Sequence, residues 1–554
     1  MRVSTAILAA TILLGAAGAY SQRPEVYSKE RPLMTDFDME DTPKPKPVDT
    51  GYLYDWIDGT LFQQVRKGLD IPGHFKRSGR SGKESVNVNT YDLVPDSSWF
   101  TNRAGTRPLT AEEIARGPNS GSGPKPGKLT VLRGKSIGAT PGFWVRDEAG
   151  DTYILKFDPP GNPEMASGAE VIATRFFWAF GYNVPENYIF RFRREWLEIS
   201  EGATFTNEQN KKEQMTERHL DLILSKVAGS NGSYRALASK LIKGSPLGGF
   251  TFSGRRKDDP NDIIPHELRR DVRALRVFSA WTEHNDIRVG NTLDMYVEED
   301  GRRFVRHYLI DFGSTFGSDT IGVNEPEVGR EYRFDTKEAA KVFFTGGVYK
   351  PKWRRDSYDP VFSPAVGRYS AKGFRPHRWK QNFPLNAFGA MTDRDGFWAA
   401  RIAASFTPEQ ILAIVRTAEF SDPADTEYLA TQIVARQRLI VQHYAQRTAG
   451  IADFRIVDGG RAIEFTDYRR LFPTESPGAS TFEYSVKKAE GANGASLTGK
   501  TDGRRLAIDD RIAALGEGGD ILKIEIGRTG EDRRAQIYIF KRSEGGFAIA
   551  GIVH

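Results

Sequence analysis

The chain has 554 residues, too many for one hydrophobic core, so two or three domains are expected. Its 78 Lys and Arg nearly balance 72 Asp and Glu, and the net charge of +6 is too small an excess to argue for nucleic-acid binding. The absence of Cys excludes disulfide staples, diacylated lipid anchoring, thiolate catalysis and Cys-ligated zinc.

Residues 1–19 read as a secretory signal peptide: Arg2 is the positive start, the following run is apolar, and Ala17-Gly18-Ala19 offers a cleavage site. The alternative is an uncleaved anchor helix. No later segment is apolar enough to span a bilayer. The expectation is an exported protein, periplasmic or extracellular, with no membrane span after signal cleavage. Residues 20–50 are rich in Pro, Asp and Lys and read as an extended linker. Residues 51–127 form an N-terminal extension. Its aromatics (Tyr52, Tyr54, Trp56, Phe62, Trp99 and Phe100) suit packing on the next domain, and it ends in Gly- and Ser-rich loop material.

From Lys128 the pattern changes. Residues 129–132, 143–145 and 153–157 are predicted strands, with Gly134, Gly138 and Gly142 in one turn-rich loop. A helix carrying Val171, Ile172, Phe176, Phe177 and Phe180 follows. Residues 188–190 and 236–238 are further strands, separated by a charged helical insertion over 207–225. A helix over about 266–282 leads to a loop at His284, then a hairpin pairs 292–297 with 304–310. Helical patterns return at 335–344, 393–405, 407–419 and 424–447. After Gly450 short alternating runs between Gly- and Asp-rich turns predict an all-β domain over 451–554.

Chemistry concentrates in His284-Asn285-Asp286-Ile287-Arg288-Val289-Gly290-Asn291 and in Asp311-Phe312-Gly313. Phosphoryl transfer from a metal–nucleotide complex needs one acidic group at the attacking hydroxyl and oxygen ligands for Mg²⁺. Asp286 is the candidate base, and Asn291 and Asp311 are the candidate metal ligands. Arg288 is a cation able to neutralise the transferring phosphate. Lys156 lies inside an apolar strand and needs an anionic partner. Glu170, early in the next helix, is the natural carboxylate. The loop from Gly134 through Gly138 to Gly142 could cover phosphates with backbone N–H groups, although it fits neither G-x-G-x-x-G nor a P-loop.

These stretches resemble the H-R-D-x-x-x-x-N catalytic loop and D-F-G of the kinase-like superfamily. The resemblance covers roughly residues 128–450. No A-P-E follows Asp311, so atypical branches are closer: HipA-like, CotH-like and secretory-pathway kinases. Aminoglycoside phosphotransferases share the loop pattern. The resemblance implies an α+β fold, two-lobed and protein-kinase-like. Its small lobe would span about 128–245 and its large lobe about 246–450, beside the N-terminal extension and a C-terminal all-β sandwich-like domain. It also implies ATP and Mg²⁺ as cofactors, Lys156, Glu170, Gly134 and Gly138 as nucleotide-binding positions, and a protein or small-molecule hydroxyl as acceptor. The expected activity is an exported ATP-dependent phosphotransferase acting on protein. The alternatives are a small-molecule or glycan kinase, an adenylyl transferase, or a nucleotide-binding pseudokinase scaffold. The basic, aromatic stretch 350–380 could hold an acidic protein or glycan, or be a solvated loop.

Overall fold

The computed structural model describes residues 26–48, 83–135, 141–207, 211–227, 229–230, 232–333, 335–350, 360–472, 480–490, 496–516 and 519–554. Within them the protein is a mixed α+β structure with four sheets. The expected signal peptide lies outside the described residues, as do Tyr52, Tyr54, Trp56 and Phe62. Among the described residues no helix is long and apolar enough to cross a membrane.

The first unit is an eight-stranded sheet. In chain order, helix α1 (Ala111–Arg116) precedes strands β1 (Leu129–Lys135), β2 (Gly142–Arg146) and β3 (Thr152–Lys156). Helix α2 (Met165–Phe180) follows, then β4 (Asn187–Arg193), β5 (Leu197–Thr206), β6 (Lys212–Gln214), helix α3 (Glu217–Leu224), β7 (Gly229–Ser230) and β8 (Ser233–Lys240). The strand order is β4-β8-β3-β2-β1-β5-β6, with β7 paired to β8. Alternation sets the faces: in β3, Tyr153 and Leu155 are buried, whereas Ile154 and Lys156 point the other way and are only half-buried. Tyr153 and Leu155 share a core with Phe143, Val145 and the α3 residues Leu220 and Ile223.

Two parts of this unit differ from the sequence reading. β5 pairs in parallel with β1, Leu197 opposite Leu129; Glu198, Ser200, Glu201 and Gly202 dilute its alternation and hide it in the sequence. Residues 207–225, expected as one helical insertion, hold β6 and only the eight helical residues of α3.

Helix α2 is buried at fifteen of its sixteen positions, so it is covered all round rather than on one stripe. Asp158 caps its first turn, accepting from the Ser167 N–H at 2.8 Å. The same carboxylate pairs with Arg235 at 3.1 Å, and Arg235 donates to the Ala418 carbonyl, tying the sheet to the helices beyond. At the far end Gly181 has φ 126, and a Cβ there would lie 2.2 Å from the Phe100 ring; only glycine fits.

The second unit contains β9 (Ser245–Gly248), α4 (Arg270–Thr282), β10 (Thr292–Glu299), β11 (Arg302–Leu309), α5 (Thr336–Phe344), α6 (Asn386–Ala390), α7 (Asp393–Ala404), α8 (Pro408–Arg416) and α9 (Pro423–Arg447). The hairpin and five of the helices, α4, α5, α7, α8 and α9, lie where periodicity places them. Thr392, Thr407 and Asp422 cap α7, α8 and α9. Phe180 of α2 stacks on Phe278 of α4 at 4.1 Å, beside Trp281 and Phe406, so both units share this core.

The C-terminal unit has a three-stranded sheet, β12 (Ile451–Val457), β13 (Ala462–Asp467) and β16 (Arg505–Ala507). A five-stranded sheet is formed by β14 (Thr481–Lys488), β15 (Leu497–Asp502), β17 (Ile521–Arg528), β18 (Ala535–Lys541) and β19 (Phe547–Val553). Phe454 and Phe465 of the first and Phe482, Ile524 and Ile537 of the second meet in one core. The expectation of an all-β unit is corrected by one helix, α10 (Asp510–Leu515), whose Ile512 fills that core.

The N-terminal segments are bound more tightly than a linker and an appended extension imply. Over residues 26–48 the N–H groups of Ser28, Asp36, Thr42 and Val48 donate to the carbonyls of Ala550, Asp96, Arg303 and Leu247 at 2.7–2.9 Å. An extended Pro-rich chain has no internal hydrogen bonds, so its donors seek neighbouring backbone. Trp99, Phe100 and Ile114 lie inside the shared core rather than on its surface.

A buried ionic network closes the structure. Arg270 reaches Asp92 at 2.8 Å and Asp395 at 3.1 Å, Arg273 reaches Asp395 at 3.1 Å, and the C-terminal residue His554 bonds Asp92 at 2.8 Å. Burial raises the Asp395 carboxyl, but Arg270 and Arg273 overcome that and hold it below its ordinary range. Asp395→Ala removes the carboxylate from the buried Arg273 and leaves Arg270 with Asp92 alone, and should cost about 3–5 kcal/mol of stability. Urea denaturation should show a lower midpoint at unchanged slope; an unchanged midpoint would refute the assignment.

Candidate active site

Lys156 is the last residue of β3, on the face turned toward α2. Its Nζ lies 3.0 Å from Glu170 Oε1, 3.1 Å from Glu170 Oε2 and 3.0 Å from Asp311 Oδ1. Strand, helix and post-hairpin loop thus meet at one ammonium group. Burial opposes the Lys156 charge, yet Asp311 and Glu170 outweigh it and raise its pKa. Burial pushes the Glu170 carboxyl up to about 7, against the pull of Lys156 and with the repulsion of Asp311 added. The Asp311 side chain is 49% exposed against 4% for Glu170, so Asp311 is the partner that an incoming anion or cation meets.

The loop after α4 supplies the second group. The helix ends at Glu283, which has φ 55 and pairs with Arg436. The His284 N–H then donates to the Ser279 carbonyl at 2.8 Å. The Asn291 amide donates to the Asp286 carbonyl at 2.7 Å and to its Oδ2 at 3.0 Å. Arg288 Nε lies 3.1 Å from Asp286 Oδ1 and 3.2 Å from Oδ2. Arg288 therefore sits beside Asp286, held in an ion pair with the carboxylate it was expected to assist. The Ile310 N–H donates to the Asn291 carbonyl at 3.0 Å, which brings Asp311 next to Asn291. Asp311 itself adopts φ 62, a left-handed conformation that Asp tolerates better than most residues.

Three rings hold these pieces in register. Phe177 lies two helical turns beyond Glu170, on the same stripe of α2. Its ring is 4.9 Å from Phe312 and 5.7 Å from His284, and His284 is 5.3 Å from Phe312. Burial pushes His284 down to about 4, against the attraction of Asp286. It is neutral near pH 7 and supports the loop through packing and a hydrogen bond with the Ser314 backbone.

Six of the site residues anticipated from sequence (Lys156, Glu170, Asp286, Arg288, Asn291 and Asp311) fall into these two linked clusters. The glycines behave differently. Gly138 lies outside the described residues. Gly134 is a correction: it sits within β1, not in a loop, and a Cβ there would meet the Met215 methyl at 2.9 Å and Ile223 at 3.3 Å. Core packing accounts for its small size. Gly142, expected in the same loop, is likewise a correction, since it opens β2, and one position, Asp319, escaped the sequence reading. Gly142 pairs across the sheet with Lys156, and a Cβ there would lie 2.4 Å from the Leu155 carbonyl oxygen. Asp319 is raised by burial, opposed by Arg333 and reinforced by Asp286, so a second carboxylate lies within the field of the first. No local motif marks Asp319; only the folded loop brings it there.

A divalent cation fits the site in a limited way. Among the described residues no three His, Asp or Glu side chains converge to cage a metal. The Asn291 amide nitrogen is committed to Asp286, which leaves its oxygen as the candidate ligand, and its backbone carbonyl accepts from Ile310, the residue before Asp311. Two protein oxygens, with phosphate oxygens and water for the rest, is the ligand set Mg²⁺ accepts. Comparison with protein-family models, curated proteins and solved structures returns no match to this chain. Gly142→Ala tests the local geometry: the added methyl must displace backbone beside Lys156 and should cost about 1–3 kcal/mol, read in thermal and urea melts. Parental stability would show that β2 and β3 are looser here than described.

Proposed function

We propose that this protein is an exported, two-lobed, kinase-like phosphotransferase that moves the γ-phosphoryl group of ATP to a hydroxyl on protein. The observation that carries the reading is Lys156 Nζ at 3.0 Å from both Glu170 and Asp311, with Asn291 joined by backbone to the Asp311 segment and by its amide to Asp286. In this reading the sheet unit is the small lobe and the helical unit the large one.

Lys156, oriented by Glu170, binds the α- and β-phosphates. Mg²⁺, held by Asn291 and Asp311, would neutralise charge on the β- and γ-phosphates. The acceptor oxygen bonds to the γ-phosphorus as the bond from that phosphorus to the ADP oxygen breaks, and Asp286 takes the hydroxyl proton. Arg288 fixes Asp286 through its Nε and lends its positive charge to the moving phosphoryl group.

Transfer is measured with ATP labelled at the γ or the α position, using an extract of the producing cell's envelope as acceptor. Label should move from the γ position; movement from α would mean adenylyl transfer, and nucleotide stabilisation without transfer would mean a binding scaffold. Asp286→Ala should lower transfer by at least about 100-fold and keep the thermal shift given by Mg²⁺ and ATP. Asp311→Ala should lose both. Full activity in Asp286→Ala would sink the reading.

The Lys156–Glu170 pair requires ionised Glu170, whose carboxyl titrates at about 7. Affinity for Mg²⁺–ATP should therefore rise as pH climbs through that value, and Glu170→Gln should flatten the calorimetric profile.

A further inference from the structure

A cleft of about 960 Å³ is lined by residues of α4, the 324–332 segment, the 368–381 segment and α9, and Lys156 is not among them. That size is at the upper end of about 300–1,000 Å³ typical of ligand pockets. Asn324 and Gln381 are among its lining residues. Asn324 Oδ1 accepts from Asn285 Nδ2 at 3.1 Å, and the Asn382 N–H, next to Gln381, donates to the Asn285 carbonyl at 2.8 Å. The cleft wall is thus bonded to the residue preceding Asp286.

Nine Lys or Arg side chains line the cleft against four Glu. Lys341, Lys380 and Arg436 are paired with Glu338, Asp335 and Glu283. Among the described residues Arg276 donates to the backbone carbonyls of Phe388 and His377 and makes no ion pair. Arg375 and Arg378 are exposed and make no ion pair among the described residues. His377 stacks on His443 at 4.9 Å. Burial lowers both imidazoles; Arg378, Arg447, Arg375 and Arg276 lower His377 further, and His377 and Arg447 lower His443 further, with Asp393 opposing at His443. The local field thus disfavours additional positive charge and favours an anion.

The lining is not uniformly cationic. Glu325 and Glu331 lie among the arginines, and Tyr332, Phe374 and Trp379 present aromatic surface. Trp379 is 4% exposed, and its indole N–H has no acceptor among the described residues. A polyanion of constant charge would meet the glutamates repulsively. An extended peptide brings carboxylates for the arginines, carbonyls for a buried donor and apolar atoms for the rings.

We infer that this cleft docks the acceptor, and that the acceptor is an acidic stretch of protein whose Glu or Asp side chains pair with Arg276, Arg375 and Arg378 while its hydroxyl reaches Asp286. The inference rests on the phosphotransfer reading above and names its substrate class. Part of the expected basic stretch, including Trp353, Arg354 and Arg355, lies outside the described residues.

The test uses the full chain and a fluorescent Ser-containing peptide of about a dozen residues rich in Glu, a Lys-rich counterpart, and polygalacturonate as an anionic glycan. Anisotropy should show binding of the acidic peptide that weakens with added salt. It should fall at least about tenfold in the double variant Arg375→Glu, Arg378→Glu. The thermal shift given by Mg²⁺ and ATP should be the same in both proteins, which also reports that the variant is folded. Equal acidic-peptide binding by parent and variant, preference for the Lys-rich peptide, or tighter binding of polygalacturonate would each overturn the inference. A parent protein that binds the acidic peptide through Arg375 and Arg378, yet shows no nucleotide shift and no transfer, would instead overturn the phosphotransfer reading.

Discussion

A carboxylate buried on a helix covered on every side cannot stand alone, and in this protein Glu170 is that carboxylate. Its charge is tolerable only because the Lys156 ammonium reaches it from the end of β3. The same ammonium also holds Asp311. One cation therefore sets the spacing between sheet, helix and the loop after the hairpin. The arrangement is unbalanced on its own: burial still raises Glu170 to about 7, and Asp311 adds to that rise. It would be eased by a further cation next to Asp311, the more exposed of the two carboxylates.

Rigidity around this cluster comes from α2. Asp158 and Arg235 fix its first turn to the Ala418 backbone, and Phe100 closes on Gly181 at its end. Glu170 and Phe177 then project from one stripe, the first to the ion cluster and the second to His284 and Phe312. Polar and aromatic contacts two turns apart on a single helix orient the Asp311 loop and the Asp286 loop together. A site supported in this manner depends on packing as much as on its own hydrogen bonds.

The termini contribute through different physics. Residues 26–48 touch the C-terminal sheet, the segment near Asp96, the β10–β11 hairpin and β9 by backbone hydrogen bonds. His554 joins Asp92, Arg270 and Asp395 in a network that reaches α4, the helix leading into the Asp286 loop. The C-terminal unit is thereby coupled to that loop through a buried charge network rather than merely appended to it.

The amino-acid order by itself determined the local chemistry and most of the elements. Period-two and period-3.6 patterns marked β3, α2, the hairpin and the helices after residue 390, because each has one face or side that must be apolar. The spacing of Asp286, Asn291 and Asp311, and the position of Lys156 and Glu170, were legible because a short loop and a strand end constrain where side chains can go. Tertiary structure alone decided the parallel pairing of β5, since its middle, from Glu198 to Gly202, has no buried residue and carries no alternation. It decided that Gly134 makes room for Met215 while Gly142, opposite Lys156, makes room for the Leu155 carbonyl, because glycine's reason is the neighbour a side chain would strike. It also decided the proximity of Asp319 to Asp286 and the cleft where residues from α4, the 324–332 segment, the 368–381 segment and α9 converge. Such convergence follows from loop paths that no local periodicity encodes.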